Sequence, residues 1–174
     1  GGGDWSWLLS FYLARARRII PALLVLCLVL LAIGWFTLPS VDYKQLATHS
    51  IAAIVFLSNI KFWRESGYFD AASHDKWLLH TWSLSVEWQF YLLFPIGLML
   101  LWRLFPGRRA ATIALLVGFV LSLFLSIGLT PHQPSAAFYL LPTRAWELFA
   151  GVLVYVMAAG LKLTPSRARI LEAA

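Results

Sequence analysis

The sequence predicts an all-α integral membrane protein with four transmembrane helices and one re-entrant or short membrane segment. Of its 174 residues, 60% are hydrophobic and only 13% are charged, whereas about a quarter of a soluble domain is charged. Several apolar runs reach the roughly 20 residues that a helix needs to cross a bilayer. Basic residues cluster at the ends of these runs, so membrane orientation explains the net charge of +6, and we expect no nucleic-acid partner.

The first spanning run is predicted at residues 19–38. It follows a short amphipathic lead-in, residues 1–18, which carries interfacial aromatic side chains and three arginines. Pro21 lies near the start of the run, where its missing N–H costs little. Cys27 is the single cysteine, so no disulfide framework is expected. The run is too long for a signal peptide, and no small-residue cleavage site follows it.

A weaker apolar segment and three further spanning runs follow. Residues 46–63 are shorter and are interrupted by polar side chains, and residues 64–80 are polar with a turn predicted at residues 67–70. The remaining spans are predicted at residues 82–105, 110–129 and 138–160. Each of these three runs is apolar over a length that can cross a bilayer.

The distribution of basic residues predicts the topology. If residues 46–63 crossed the membrane, six basic residues would face one side and seven the other. If this segment re-enters instead, four lie outside and nine lie in the cytoplasm, namely Arg15, Arg17, Arg18, Arg103, Arg108, Arg109, Lys162, Arg167 and Arg169. The positive-inside rule favours re-entry. Irregular backbone at membrane depth needs surrounding protein or a water-filled cavity, so re-entry predicts a cavity on the outer face.

Three charged residues, Glu87, Arg144 and Glu147, lie inside predicted spans and away from the span ends. A charge there costs a few kcal/mol on insertion scales and marks a candidate functional site. In this topology Glu87 lies about 7–8 Å along its helix, Arg144 about 9 Å and Glu147 about 13 Å. Arg144 could pair with Glu87 across two helices, or with Glu147 at i, i+3 on its own helix. Both pairings remain open on the sequence alone.

A polar stripe accompanies the first of these acids. Ser83, Glu87 and Tyr91 follow one another at i, i+4 spacing and therefore share one face of the helix. His80 and Trp82 lie just before it, at the predicted outer interface. The pattern indicates a helix with one face directed at protein or a cavity rather than at lipid.

The chain resembles the membrane acyltransferase 3 family through several motifs. The run Arg15-Ala16-Arg17-Arg18-Ile19-Ile20-Pro21 is similar to the Arg-x-x-Arg-Ile-x-Pro signature of that family. Four later motifs follow in the family's order, at residues 58–59, 67–69, 79–91 and 138–151. The family includes O-acetyltransferases of lipopolysaccharide O-antigen, peptidoglycan and exopolysaccharides, and macrolide acylases.

The resemblance implies a function and a place for it. It implies a multi-pass protein of the bacterial inner membrane that moves an acyl group, most simply acetyl, from cytoplasmic acyl-CoA to a hydroxyl of a cell-envelope carbohydrate or similar acceptor. Arg15 and Arg18 would bind the acyl-CoA phosphates through charge-assisted, bidentate bonds, while Arg17 orients the chain. No bound cofactor is implied, and the histidines show no metal-ligand spacing.

Each candidate residue also has a structural interpretation. The arginines of the lead-in are consistent with plain orienting charges. Glu87, Arg144 and Glu147 either support catalysis or only lock helices together. The candidates for the acceptor site are His80, Trp82, Ser83 and Tyr91, and His80 fits a hydrogen-bonded boundary residue better than a base.

The resemblance also implies that residues 1–174 are part of a domain of about ten helices. Family members begin with two further helices, and the first carries an Arg and the catalytic His, so the general base is expected outside these residues and the chain alone is expected to be inactive. The residues alone also allow a transporter or channel fragment, whose path buried Glu and Arg would line. Transporter halves show paired repeats, and the chain has none that we detect.

Overall fold

The computed structural model describes residues 3–66 and 76–160, and all regular structure in these two ranges is α-helical. The turn predicted at residues 67–70 lies outside the described residues. The helices are α1 (Gly3–Thr37), α2 (Ser40–Ile54), α3 (Ser58–Glu65), α4 (Thr81–Leu104), α5 (Arg108–Leu129), α6 (Pro134–Tyr139) and α7 (Leu141–Gly160).

Four stretches are long and apolar enough to cross a membrane, which confirms the predicted number of spans. They are Ser6–Thr37, Thr81–Leu104, Arg109–Leu129 and Pro134–Ala158. Most side chains in these windows are not covered by the rest of the chain. In lipid, exposure of apolar side chains carries no penalty, so this surface is consistent with a membrane protein.

Helix α1 is longer than the sequence predicted. The lead-in and the first span form one helix of 35 residues, about 52 Å long at 1.5 Å per residue. Pro21 therefore lies in the helix interior rather than near its start. The upstream residues are mostly Leu, Ala, Arg and aromatics, and the good helix formers among them let the helix continue without a break.

Residues 46–63 do not form a single helix. Helices α2 and α3 contain only 15 and 8 residues, so each is shorter than a transmembrane helix needs to be. At the break the N–H of Leu57 donates to the carbonyl of Ala52 at 2.8 Å, and the N–H of Phe56 donates to that of Ala53 at 3.0 Å. This is a Schellman ending. The segment is thus a broken, short membrane segment, as the fold prediction allowed.

The Schellman ending places a phenylalanine where glycine is usual. Phe56 has a φ of 55°, a left-handed conformation that costs a residue with a side chain about 1–2 kcal/mol. Its ring stacks on Trp88 of α4, with centroids 4.5 Å apart and planes at 15°. Burial of this ring in the core between α1, α2 and α4 offsets the backbone cost.

The topology can be tested by cysteine labelling. Cys27 is first replaced by Ser, and single cysteines are placed at Lys44 and at Arg64. If residues 46–63 re-enter as predicted, both positions lie outside, so both should react with an impermeant thiol reagent applied from outside. Both native side chains are exposed. A cysteine in place of the exposed Arg103 serves as the control and should react only after permeabilisation. Labelling of the Arg64 position only after permeabilisation would show that the segment crosses.

Helix α5 packs closely against α7 and positions the start of α7. A Cβ built on Gly118 would lie 2.9 Å from the ring of Phe149, so the close approach requires glycine or a shift of that ring. The hydroxyl of Ser122 donates to the carbonyl of Pro142 at 2.6 Å and accepts from the N–H of Trp146 at 2.9 Å. Ser122 is thereby inserted into the first turn of α7, the turn that carries Arg144.

Candidate active site

Arg15 is held between aromatic rings at the contact of α1 with α4. Its guanidinium carbon lies 4.8 Å from the ring centroid of Tyr91 and 5.6 Å from that of Phe11. The hydroxyl of Tyr12 donates to the carbonyl of Leu92 at 3.0 Å and fixes the two helices beside each other. Such cation–π contacts stabilise a positive charge where water is scarce. Arg17 and Arg18 are exposed.

This contact corrects the predicted depth of the arginines. Tyr91 lies ten residues after Thr81 and thirteen before Leu104, about 15 Å and 20 Å along α4. Arg15 is therefore near the middle of α4 and only about one helical turn from the level of Glu87. The sequence placed Arg15 and Glu87 near opposite membrane faces, because it located α1 by the start of its apolar run. Packing between α1 and α4 sets their relative position instead.

Glu87 is half-buried and makes no hydrogen bond or ion pair with the residues that the structure describes. Ser83, one turn earlier, is exposed and donates back to the carbonyl of His80 at 3.1 Å. His80 itself is exposed at the start of α4. Of the predicted stripe, Tyr91 is thus the member that contacts a second helix. A half-buried carboxylate without a partner is a candidate group for binding or proton transfer.

Arg144 lies in the first turn of α7, closer to the helix start than predicted, because α6 ends at Tyr139 and α7 begins at Leu141. Its guanidinium binds Glu147 at 2.9 Å, the i, i+3 alternative of the two predicted pairings. Among the described ion pairs, Arg144 has no contact with Glu87. The connection to α4 runs through Trp82, whose ring centroid lies 5.3 Å from the guanidinium carbon.

Trp82 belongs to an aromatic cluster at the outer end predicted for α4. Its ring lies 4.5 Å from that of Phe138 and 5.5 Å from that of Tyr139, measured between centroids. Arg144 also lies over Phe138, at 5.6 Å. The structure therefore brings two of the predicted residues, Trp82 and Arg144, into one cluster, and it brings Arg15 and Tyr91 into another.

An amide pair that the sequence did not predict, buried Asn59 with half-buried Gln89, joins α3, α4 and α6. Gln89 donates from Nε2 to Oδ1 of Asn59 at 2.8 Å and to the carbonyl of Phe56 at 2.9 Å. Asn59 donates from Nδ2 to Oε1 of Gln89 at 3.3 Å and to the carbonyl of Tyr139 at 3.2 Å. Beside this pair, the hydroxyls of Ser58 and Ser85 hydrogen-bond at 2.7 Å. In the sequence, the signal for these contacts was the polar side chains that interrupt the weak apolar segment at residues 46–63.

A second polar cluster lies around His49, which is only 2% exposed. Its Nε2 lies 2.9 Å and 3.1 Å from the two carboxylate oxygens of Glu65. Lys61 and Lys76 contact the same carboxylate at 3.2 Å and 3.4 Å. Burial opposes ionisation of Glu65, but the neighbouring His49 and Lys61 outweigh it and hold the pKa of this carboxyl below its ordinary value.

Burial has the larger effect on His49 and lowers the pKa of its imidazole despite the attraction of Glu65. The two short contacts place the proton of a neutral imidazole on Nε2, which then donates to an ionised Glu65. Among the described residues, no group of three or more His, Cys, Asp or Glu side chains is arranged to hold a metal ion. The cluster orients an imidazole and ties α2 to α3.

An apolar cavity of about 410 Å³ lies between α4, α5 and α7. Phe90, Phe94 and Leu98 of α4 line one side, and Leu115 of α5 and Phe149 of α7 line the other. Its volume is in the range of small-molecule sites. The lining residues can make dispersion contacts with an apolar chain. Among the described residues, none that line the cavity has a polar side chain that could orient a reacting group.

Comparison with known proteins defines the class. The chain belongs to the acyltransferase domain family, whose model matches residues 4–171. This confirms the resemblance that its motifs indicated. No solved structure matches the chain.

The curated relatives come from several bacteria. The chain is 34% identical over 153 residues to an uncharacterized protein of Haemophilus influenzae, covering 84% of this chain and 62% of that protein. It is 32% identical over 146 residues to the peptidoglycan O-acetyltransferase OatA of Listeria monocytogenes, covering 82% and 23%. It is 33% identical over 148 residues to a putative membrane-bound transacylase, BcsY, of Komagataeibacter xylinus, covering 84% and 37%. The chain thus spans less than two thirds of these relatives.

Proposed function

We propose that this chain is part of an O-acyltransferase of the bacterial inner membrane, with its basic loops in the cytoplasm. The enzyme moves an acyl group, most simply acetyl, from acyl-CoA to a hydroxyl of a cell-envelope carbohydrate. Membership of the acyltransferase family and the similarity to a peptidoglycan O-acetyltransferase support the class. The observation that carries the proposal is the position of Arg15, a fixed cation near the middle of α4 and about one turn from Glu87, which has no partner among the described residues.

Arg15 and Arg18 form the donor side of the proposed site. They stand three residues apart on α1 and so share one helical face. Arg15 is oriented by Tyr91, while Arg18 is exposed about one turn further along α1. Two guanidinium groups at this spacing suit the diphosphate of acyl-CoA, because each binds phosphate oxygens in a bidentate manner.

Glu87 and the aromatic cluster form the acceptor side. The half-buried carboxylate of Glu87 can accept a hydrogen bond from the acceptor hydroxyl and so direct its oxygen at the thioester carbonyl. Arg144, paired with Glu147, lies over Trp82 and fixes the wall beside it. His80 and Ser83 are exposed near the start of α4, where a carbohydrate can approach.

Transfer of labelled acetyl groups tests the proposal. Membranes that contain the intact enzyme of which this chain is part should move label from acetyl-CoA to envelope carbohydrate. Glu87→Gln should lower the rate by about tenfold to a hundredfold, since a hydrogen bond to a charged group contributes about 1.5–3 kcal/mol. Glu147→Gln is the matched comparison, because its carboxylate is already paired with Arg144. Label that remains on acetyl-CoA, or equal rates for Glu87→Gln and the unmodified protein, would contradict it.

A further inference from the structure

A small polar cavity lies on the α2 side of His49, away from the arginines. Its volume is about 140 Å³, and it is lined by Leu38, Asp42, Gln45, Leu46, His49 and Trp77. Leu38 follows the C-terminal end of α1, 23 residues beyond Arg15, which is about 35 Å along the helix. In the predicted topology this end of α1 faces outward. The cavity is therefore distinct from the site around Arg15 and Glu87.

His49 presents a hydrogen-bond acceptor to this cavity. Its Nε2 is occupied by Glu65, and with the carboxylate ionised, Nε2 must carry the proton. Nδ1 then has a free lone pair, and it has no partner among residues 3–66 and 76–160. The imidazole is buried except where it contributes to the cavity wall. In the part of the chain that the structure describes, no buried side-chain nitrogen or oxygen lacks a partner, so the unpaired Nδ1 is accessible from the cavity and can accept a hydrogen bond from a ligand or from water.

The other lining groups favour a ligand with several hydroxyls. The carboxylate of Asp42 accepts hydrogen bonds, and the amide of Gln45 both donates and accepts them. Trp77 is 43% exposed and offers an indole face at the rim. A sugar combines hydroxyls, which donate and accept, with an apolar ring face that can lie on the indole. The volume equals that of about five water molecules, so it admits one edge of a sugar ring and excludes a nucleotide.

We propose that this cavity binds one sugar unit of the acceptor, with a hydroxyl donating to Nδ1 of His49. This inference rests on the proposed function and names a second contact for its carbohydrate substrate. Because the cavity is far along α1 from Arg15, it is a capture site for an extended carbohydrate and not the place where the acyl group is transferred. His49 acts here as a binding residue whose orientation Glu65, Lys61 and Lys76 maintain.

Nuclear magnetic resonance of ring-labelled histidines tests binding directly. The protein is placed in nanodiscs, chitotetraose is added, and the ring signals of His49 are assigned by their loss in His49→Gln. We expect a saturable shift of the Nδ1 signal. Asp42→Asn and Gln45→Ala change exposed positions, so the fold is retained, and each should weaken binding at least about tenfold, which is the effect of one lost hydrogen bond worth roughly 1.4 kcal/mol.

Lys44→Gln is the matched control, because Lys44 is exposed on the same helix and is not part of the cavity wall. Its affinity for chitotetraose should be unchanged. An unchanged His49 spectrum alongside acetyl transfer to carbohydrate would overturn this inference and leave the proposed function standing. Equal affinities for Asp42→Asn, Gln45→Ala and the unmodified protein would also overturn it. A His49 shift without any acetyl transfer by the intact enzyme would support the sugar site and contradict the proposed function.

Discussion

In the intact enzyme, Arg15→Ala is expected to lower acetyl transfer by at least about a hundredfold, mainly through a higher KM for acetyl-CoA. Tyr91 and Phe11 hold the guanidinium in place, so the substitution removes a preoriented cation. Each hydrogen bond to a charged group contributes about 1.5–3 kcal/mol, and two such bonds to one phosphate account for the predicted loss. Initial rates over a range of acetyl-CoA concentrations measure the effect.

Two further variants separate the charge from its orientation. Arg15→Lys keeps the charge but not the planar fork, so it should recover only part of the activity. Tyr91→Leu removes the ring beneath the guanidinium, whereas Tyr91→Phe retains it and should stay close to the unmodified enzyme. The control is Arg17→Ala, which changes an exposed arginine on the same helix. Equal losses for Arg15→Ala and Arg17→Ala would indicate that the arginines only orient the chain in the membrane.

Asn59→Leu is expected to destabilise the protein by about 2–4 kcal/mol. Asn59 is 1% exposed, and its removal leaves the Gln89 side-chain oxygen and the carbonyl of Tyr139 without this donor. Leaving a buried polar group unsatisfied costs about 1–3 kcal/mol. Unfolding in mixed detergent micelles, followed by circular dichroism, measures the change. Thr37→Val, on an exposed face of α1, should alter stability by less than about 0.5 kcal/mol.

A double variant tests whether the two amides act as a pair. Asn59→Leu with Gln89→Leu should be less destabilising than the sum of the single changes, because neither amide then remains buried without its partner. Additive effects would show that each side chain stabilises the protein through its backbone contact alone. In that case the amide pair would contribute little to the joining of α3 and α4.

Local patterns in the sequence predicted the spans and one ion pair. Four apolar runs identified the transmembrane helices, since length and hydropathy are properties of each segment alone. The pairing of Arg144 with Glu147 was one of two alternatives, and it follows from i, i+3 spacing on one helix. The competing contact with Glu87 depends on how α4 and α7 face each other, which spacing does not determine.

Contacts between distant residues could not be predicted. The hydrogen bond from Tyr12 to Leu92 joins residues 80 positions apart and fixes the level of Arg15 on α4. The pairing of Asn59 with Gln89 spans 30 positions, and that of His49 with Glu65 spans a helix break. Each depends on which helix faces meet. Hydrophobic periodicity distinguishes apolar from polar faces, but in a membrane protein both lipid and neighbouring helices are apolar.

The broken segment α2–α3 has a consequence for biogenesis. Ser58 and Asn59 hydrogen-bond to residues that are synthesised 27 to 80 positions later, on α4 and α6. When α3 reaches the membrane, α4 and α6 have not yet been inserted, and helices of 15 and 8 residues lack the apolar length that the translocon releases into lipid. We therefore expect this segment to wait at the membrane surface or within the translocon. It settles among its neighbours only after the later helices have been inserted.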